Sequence, residues 1–391
     1  MLNQPKLKDQ KISNLLQNYS RYYTEFVSGN GSKLYDTEGK EYIDFLSGIA
    51  VTGFGHNHPL INAAVKNQVE NLWHVSNLFT STPQEILASK IAKVSGLNKV
   101  FFCNSGTEAN EAAIKFARKW GKGRSTILTA LGSFHGRTLG SLAASGQYKL
   151  WEGFYPLTPG FKYIPYGDLE VLENFYNPDV VAVMVEPIQG ESGIIMPEDG
   201  YLKGLKQFCD KYNLLLIVDE VQSGMGRTGK HFAYQWEAIN PDIITMAKGI
   251  ANGLPLGAVV CSEEVAKYIT PGSHGSTFGG NPISIAASNV VFDLLTDEKL
   301  IFIQKIGNYF KKELNSITKK IKTIRGRGLM IGIEFIEGIS AKSIACSLLE
   351  EGIVVGTSGD TVLRVLPPYI ITEEEINIFI QKLTGLLNNN F

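Results

Sequence analysis

From about residue 60 the chain alternates between two hydrophobic periods. Stretches with apolar residues three and four apart predict helices over residues 60–71, 84–94 and 108–119. Beside them lie short runs that stay largely apolar, over 99–102, 126–130, 180–185, 214–218, 243–246 and 258–261. Runs of that length, covered on both faces, are buried strands. Strands alternating with helices predict an α/β fold, a mostly parallel sheet with helices on both faces.

The two ends of the chain read differently. Residues 1–30 are polar and aromatic-rich without a clear period, and 33–36 and 41–45 form a hairpin around Thr37-Glu38-Gly39-Lys40. Beyond 290 come a long helical stretch, a strand over 326–335, a helix over 340–351, strands over 353–355 and 361–366, and a last helix. That helix opens on Thr372-Glu373-Glu374-Glu375, a capping box. The pattern divides the chain into an N-terminal segment (1–55) packing with the small domain, a large domain (56–290) and a small α+β domain (291–391).

Composition removes several classes of function. The 391 residues carry 37 Lys and Arg against 38 Asp and Glu, so no global attraction to nucleic acid is expected. No apolar run approaches the ~20 residues of a membrane span, and the first residues hold no secretory apolar core. Cys103, Cys209, Cys261 and Cys346 are scattered without a CxxC, which fits a reducing, cytoplasmic setting. His56 and His58 precede Pro59 in a Gly-rich turn with no carboxylate or Cys cluster nearby, so no metal site is expected.

Three places could carry chemistry. The turn Asn104-Ser105-Gly106-Thr107 opens a helix, whose free N–H groups suit a phosphate or simply a capped helix. The run 214–218 ends in Asp219-Glu220, where open α/β sheets bind ligands. Lys248 sits between Ala247 and Gly249, and a sequestered lysine amine is a nucleophile. Residues 224–229 match GxGxxG, but they lie past the strand and open no apolar helix, which rejects a dinucleotide fingerprint. Together, a phosphate-ready turn, a strand-end Asp and a sequestered Lys are what pyridoxal phosphate requires.

With those residues in hand, the chain resembles the class III aminotransferases among the fold-type I pyridoxal-phosphate enzymes. The resemblance rests on SGTEANEAAIKFAR, FHGRT, EPIQGESG, DEVQSGMGRTG, AKGIANGLPLGA, GSHGSTFGGNP and RGRGLMIGIEF, in family order from about residue 19 to the C-terminus. It implies pyridoxal 5'-phosphate as cofactor, Lys248 as its Schiff-base lysine and proton shuttle, and Asp219 on the ring nitrogen. Ser105, Gly106 and Thr107 would hold the phosphate, Phe134 would stack on the ring, and Glu220, Val221 and Gln222 would complete the cofactor-binding stretch. Thr277 would reach the phosphate of the other subunit, with Ser276 contacting substrate there, so a homodimer with interfacial active sites is implied. Arg137 and Arg364 would read substrate carboxylates, with Glu191 neutralising Arg364 or swinging away. Tyr19 and Ile49-Ala50-Val51 would line the pocket.

Within the family the motifs are most similar to those of members that transfer the δ-amino group of N-acetylornithine to 2-oxoglutarate, giving glutamate, by a ping-pong cycle. Ornithine, 4-aminobutyrate, succinylornithine and succinyl-diaminopimelate remain open as donors. One departure stands out: Ser192 follows Glu191 where the family more often has Gly.

Overall fold

The computed structural model describes residues 14–317 and 320–389. Its centre is a seven-stranded sheet in the order Lys99–Cys103, Gly257–Cys261, Ile243–Met246, Leu215–Asp219, Val180–Val185, Thr126–Ala130, Phe161–Ile164. Gly257–Cys261 runs antiparallel to both its neighbours; the other pairs are parallel. Val180–Val185 explains the arrangement in miniature: all six side chains are buried, so both faces must be covered. Helices Gly106–Trp120 and Tyr201–Tyr212 contribute to that cover, each burying one apolar stripe.

Because Lys99–Cys103, Leu215–Asp219 and Ile243–Met246 all run in the same direction, their C-terminal ends share one edge of the sheet. That edge is where ligands of open α/β sheets sit. The strand Phe161–Ile164 and the helix Tyr201–Tyr212 have no counterpart in the elements read from the sequence.

The C-terminal part is a four-stranded antiparallel sheet in the order Ile321–Arg327, Met330–Phe335, Val362–Val365, Gly356–Ser358. Here 326–335 is not one strand. Gly328, at φ +58°, turns the chain between the two hairpin strands, so Gly326 and Arg327 belong to the first. The final helix, Glu373–Asn389, has its capping box: Glu375 N–H donates to Thr372 Oγ1 (3.2 Å), and Thr372 N–H donates to Glu375 Oε2 (2.9 Å).

The N-terminal strands Phe26–Asn30, Lys33–Asp36 and Glu41–Asp44 form a third sheet, completed in parallel by Ile353–Val354. Phe45 then packs between Phe310 and Phe379, with ring centroids 5.8 and 4.8 Å away. His56 Nε2 lies 2.8 Å from Asp44 Oδ2, which gives that histidine a structural partner. The 224–229 loop is filled by its own arginine. Arg227 is fully buried, donates to the carbonyls of Leu329 and Pro367, and lies 4.7 Å from the Tyr369 ring centre. No helix among the described residues is long and apolar enough to cross a membrane.

Candidate active site

Three strand ends and the loops after them enclose a cavity of about 390 Å³, within the range of small-molecule sites. On one side the helix Gly106–Trp120 presents its N-terminus. Ser105 caps it, its Oγ accepting from Glu108 N–H at 3.3 Å. The N–H groups of Gly106 and Thr107 have no intrahelical acceptor and carry the positive end of the helix dipole. Only glycine fits at 106, because a Cβ there would lie 2.7 Å from Val221 Cγ1.

Lys248 follows Ile243–Met246 and takes φ +46°, a left-handed conformation uncommon for a side chain of this size. Burial pushes its amine below the usual lysine value. Arg364 pushes the same way, while Glu191, Glu186 and Asp219 oppose. A shift in that direction raises the share of neutral, nucleophilic amine.

Asp219 ends its strand buried in a built network. It accepts from Asn110 Nδ2 (2.7 Å), from Val221 N–H (3.0 Å), and faces His135 Nδ1 at 2.8 Å. Asn110 is itself fixed, accepting from Thr245 Oγ1 (2.7 Å) and donating to the carbonyl of His135 (2.6 Å). Glu186, also in the cavity wall, accepts from the N–H groups of Phe134 (2.9 Å) and Gly190 (3.1 Å), and burial raises its carboxyl to about 7. Asn110, His135, Thr245 and Glu186 were not singled out from sequence. Three of them lie inside quoted motifs, but nothing local marks them as partners of Asp219 or Phe134.

The far wall carries Glu191, with Arg364 behind it. Arg364 lies on Val362–Val365, where strand alternation sends Leu363 and Val365 into the core and Arg364 to the opposite face. Its Nη1 is 2.5 Å from Glu191 Oε1. Burial alone would raise the Glu191 carboxyl, but Arg364 and Lys248 hold it below its ordinary value. Arg137 is exposed at the mouth, 5.4 Å from the Phe134 ring centre, and makes no ion pair among the described residues. Residues 47–50 form a short left-handed turn, with φ from +50° to +67°, that delivers Val51 to the cavity while Ile49 stays partly exposed. Such a turn costs about 1–2 kcal/mol per non-glycine residue, and Asp44 Oδ1 steadies its start by accepting from Leu46 and Ser47 N–H.

The aminotransferase class-III family model matches residues 17–387. This chain is a class-III aminotransferase. Similar proteins include the acetylornithine aminotransferases of Methanocaldococcus jannaschii (46% identical over 94% of each chain) and Bacillus cereus (47%, over 93% of this chain and 95% of that one). Among solved structures, ornithine aminotransferase from Toxoplasma gondii has a TM-score of 0.91 at 33% identity, over 96% of this chain and 94% of that one. N-acetylornithine aminotransferase from Stenotrophomonas maltophilia has 0.81 at 34%, over 95% and 97%.

Class-III aminotransferases use pyridoxal 5'-phosphate, and the cavity of this aminotransferase fits it. A buried carboxylate, a buried amine and a helix N-terminus converge there, and Gln222 Oε1 is buried without a partner among the described residues. Thr107 Oγ1 stands 2.8 Å from Thr138 Oγ1, and Gly136 makes room for it: a Cβ at 136 would fall 2.2 Å from that hydroxyl.

Of the residues read from sequence, Ser105, Gly106, Thr107, Phe134, Arg137, Glu191, Asp219, Val221, Gln222 and Lys248 line this one cavity, and Arg364 reaches it through Glu191. Val51 lines it too, whereas Ile49, Ala50, Tyr19, Ser276, Thr277 and Glu220 do not in the single chain. Tyr19 is 69% exposed. Ser276 and Thr277 line a separate depression with His74 and Asn77, linked to the turn at residues 104–107 by Asn104 Nδ2 on Ser276 Oγ (3.1 Å). Glu220 points away, because successive strand-end side chains face opposite sides. Its carboxylate accepts from Ser223 Oγ (2.6 Å) and Tyr234 N–H (2.9 Å).

Burial raises the Glu220 carboxyl from 4.5 to about 7. The folded state therefore holds a proton that the unfolded state releases above pH 4.5. The stability this contributes is complete below 4.5 and is lost as pH rises through about 7. Glu220→Gln should remove this slope, so variant and wild type should diverge by about 3 kcal/mol between pH 4.5 and 8. Urea unfolding across that range checks it; a pH-independent offset would contradict it.

Proposed function

We infer that this aminotransferase moves the δ-amino group of N-acetyl-L-ornithine to 2-oxoglutarate, giving N-acetyl-L-glutamate 5-semialdehyde and L-glutamate, a step of arginine biosynthesis. The observation that carries this reading is the asymmetry of the two arginines. Arg364 is neutralised by Glu191 while Arg137 is free, so the pocket as it stands offers one guanidinium for one carboxylate. N-acetylornithine has one carboxylate and an uncharged acylated arm. The names of the acetylornithine aminotransferases that share 46–47% identity point the same way.

When bound, pyridoxal phosphate supplies an aldehyde carbon and an electron-withdrawing ring that let an amino group pass between substrates. Lys248, whose amine burial pushes below the usual lysine value, would attach to it and then move the proton on and off the substrate carbon bearing the amine. Asp219, fixed by Asn110 and His135, would keep a proton on the ring nitrogen. Gly106 and Thr107 N–H would hold the phosphate and Phe134 one ring face. Glu191 would leave Arg364 when a dicarboxylate arrives, so both substrates would use one pocket in turn.

Arg137 would fix the substrate carboxylate through a bidentate fork. Arg137→Ala should lower kcat/KM for both amino donors about 10- to 100-fold, mostly through KM. Steady-state kinetics with each donor checks it; an effect on only one would contradict the shared role.

We assign this enzyme to the cytoplasm as a homodimer. Free cysteines, three of them buried, suit a reducing compartment. The exposed Trp73, Leu78, Phe79 and Phe278 around the Ser276–Thr277 depression suit a second copy, whose residues would complete the site. Sedimentation should give a single two-chain species; a monomer with full turnover would refute it. The activity itself is tested by comparing kcat/KM for N-acetylornithine, ornithine, 4-aminobutyrate, succinylornithine and succinyl-diaminopimelate. A clear preference for any of the last four would overturn the donor assignment.

A further inference from the structure

The loop carrying Glu191 is bonded at every residue from 189 to 193. Gln189 exchanges backbone hydrogen bonds with Ile195 (2.9 and 3.0 Å), and its Nε2 donates to the carbonyl of Leu131 (2.8 Å). Gly190 N–H donates to Glu186. The Glu191 carbonyl accepts from Ser358 Oγ, and the Gly193 carbonyl accepts from Arg325 Nε at 2.7 Å. Ser192 Oγ donates to the carbonyl of Gly132.

The last bond joins two adjoining loops that both line the cavity. Residues 131–137 carry Phe134 and Arg137; residues 189–193 carry Glu191. Gly132 makes the seam possible. It sits at φ +78°, and a Cβ there would fall 2.8 Å from Gln189 Oε1 and 3.1 Å from Ser192 Oγ. With its backbone fixed on both sides, Glu191 can leave Arg364 only by rotating its own side chain. From that backbone its carboxylate rests on Arg364 and also accepts from Gln222 Nε2 at 3.3 Å.

We propose that the Ser192 hydroxyl is a specificity-determining tether: it holds the 189–193 loop so that Glu191 rests on Arg364, favouring substrates with one carboxylate over dicarboxylates. This rests on the functional reading above for the identity of the donor, but not for the direction of the effect. A glycine or alanine at 192 leaves Ser358 as the nearer of the remaining restraints on residue 191. The Glu191–Arg364 pair then loses part of its preorganisation, and Arg364 is more often free for a second carboxylate.

The test is glutarate, an inert five-carbon dicarboxylate, titrated into the holoenzyme by calorimetry. Ser192→Ala should bind it about three- to tenfold more tightly than wild type, the range expected for one hydrogen bond. The variant's kcat/KM for N-acetylornithine should fall relative to that for glutamate, and Ser192→Thr, which keeps the hydroxyl, should return both values towards wild type. Unchanged glutarate affinity, or a parallel loss of both activities with a lowered Tm, overturns the proposal. Wild-type protein inactive on N-acetylornithine would sink the donor assignment alone, because the glutarate comparison needs only the two arginines and Glu191, not the amino donor.

Discussion

Lys248→Ala should abolish transamination while leaving the fold intact. The expected loss is at least about 10⁴-fold in kcat for every amino donor, because in the proposed mechanism one amine would serve as both nucleophile and proton carrier. Its position makes the substitution specific. Lys248 is half-buried and makes no ion pair among the described residues, so its removal leaves no carboxylate stranded. The cavity it faces is open to solvent water, which can fill the vacated space. Rapid-quench and steady-state assays, with circular dichroism to confirm folding, check the outcome. Activity within tenfold of wild type would remove the lysine from the chemistry.

Asp219→Asn should separate chemistry from cofactor attachment. The amide keeps the side-chain volume but cannot hold a proton on a cationic ring nitrogen, so kcat should fall about 100- to 1,000-fold. The network adds a second effect. Asn110 Nδ2 donates to Asp219 at 2.7 Å and His135 Nδ1 stands 2.8 Å away, so an amide in that place sets donor against donor. Each buried donor left without an acceptor costs about 1–3 kcal/mol, and the melting temperature should drop accordingly. Lys248 is untouched, so visible absorbance from the attached cofactor should survive. Loss of that absorbance with unchanged kcat would invert the two roles.

Much of this site is legible in the chain because the chemistry sits where local pattern is strong. Lys248 stands between Ala247 and Gly249, and Asp219 closes an apolar run. Both are anomalies within a few residues. The side chains that hold Asp219 are not local: Asn110 is 109 positions away and His135 is 84. No period or spacing connects them; only the sheet does, by bringing the strand ends to one edge. Glu220 shows the opposite case. It shares a motif with Asp219, but alternation along an extended backbone turns it to Ser223 and Tyr234. In the fold, the long buried strands are plain because burial on both faces makes them apolar throughout. Phe161–Ile164, an edge strand with only one buried residue, carries no such mark. Nor does 326–335 betray its turn, since Gly328 is one glycine among several.

The most direct measurement is the site of covalent attachment. Holoenzyme reduced with borohydride, digested and mapped by mass spectrometry should carry a phosphopyridoxyl group on the peptide containing Lys248, and on no other lysine. A label on a different lysine, or none on a protein that still transaminates, would contradict the assignment of that residue and with it the geometry proposed around Asp219.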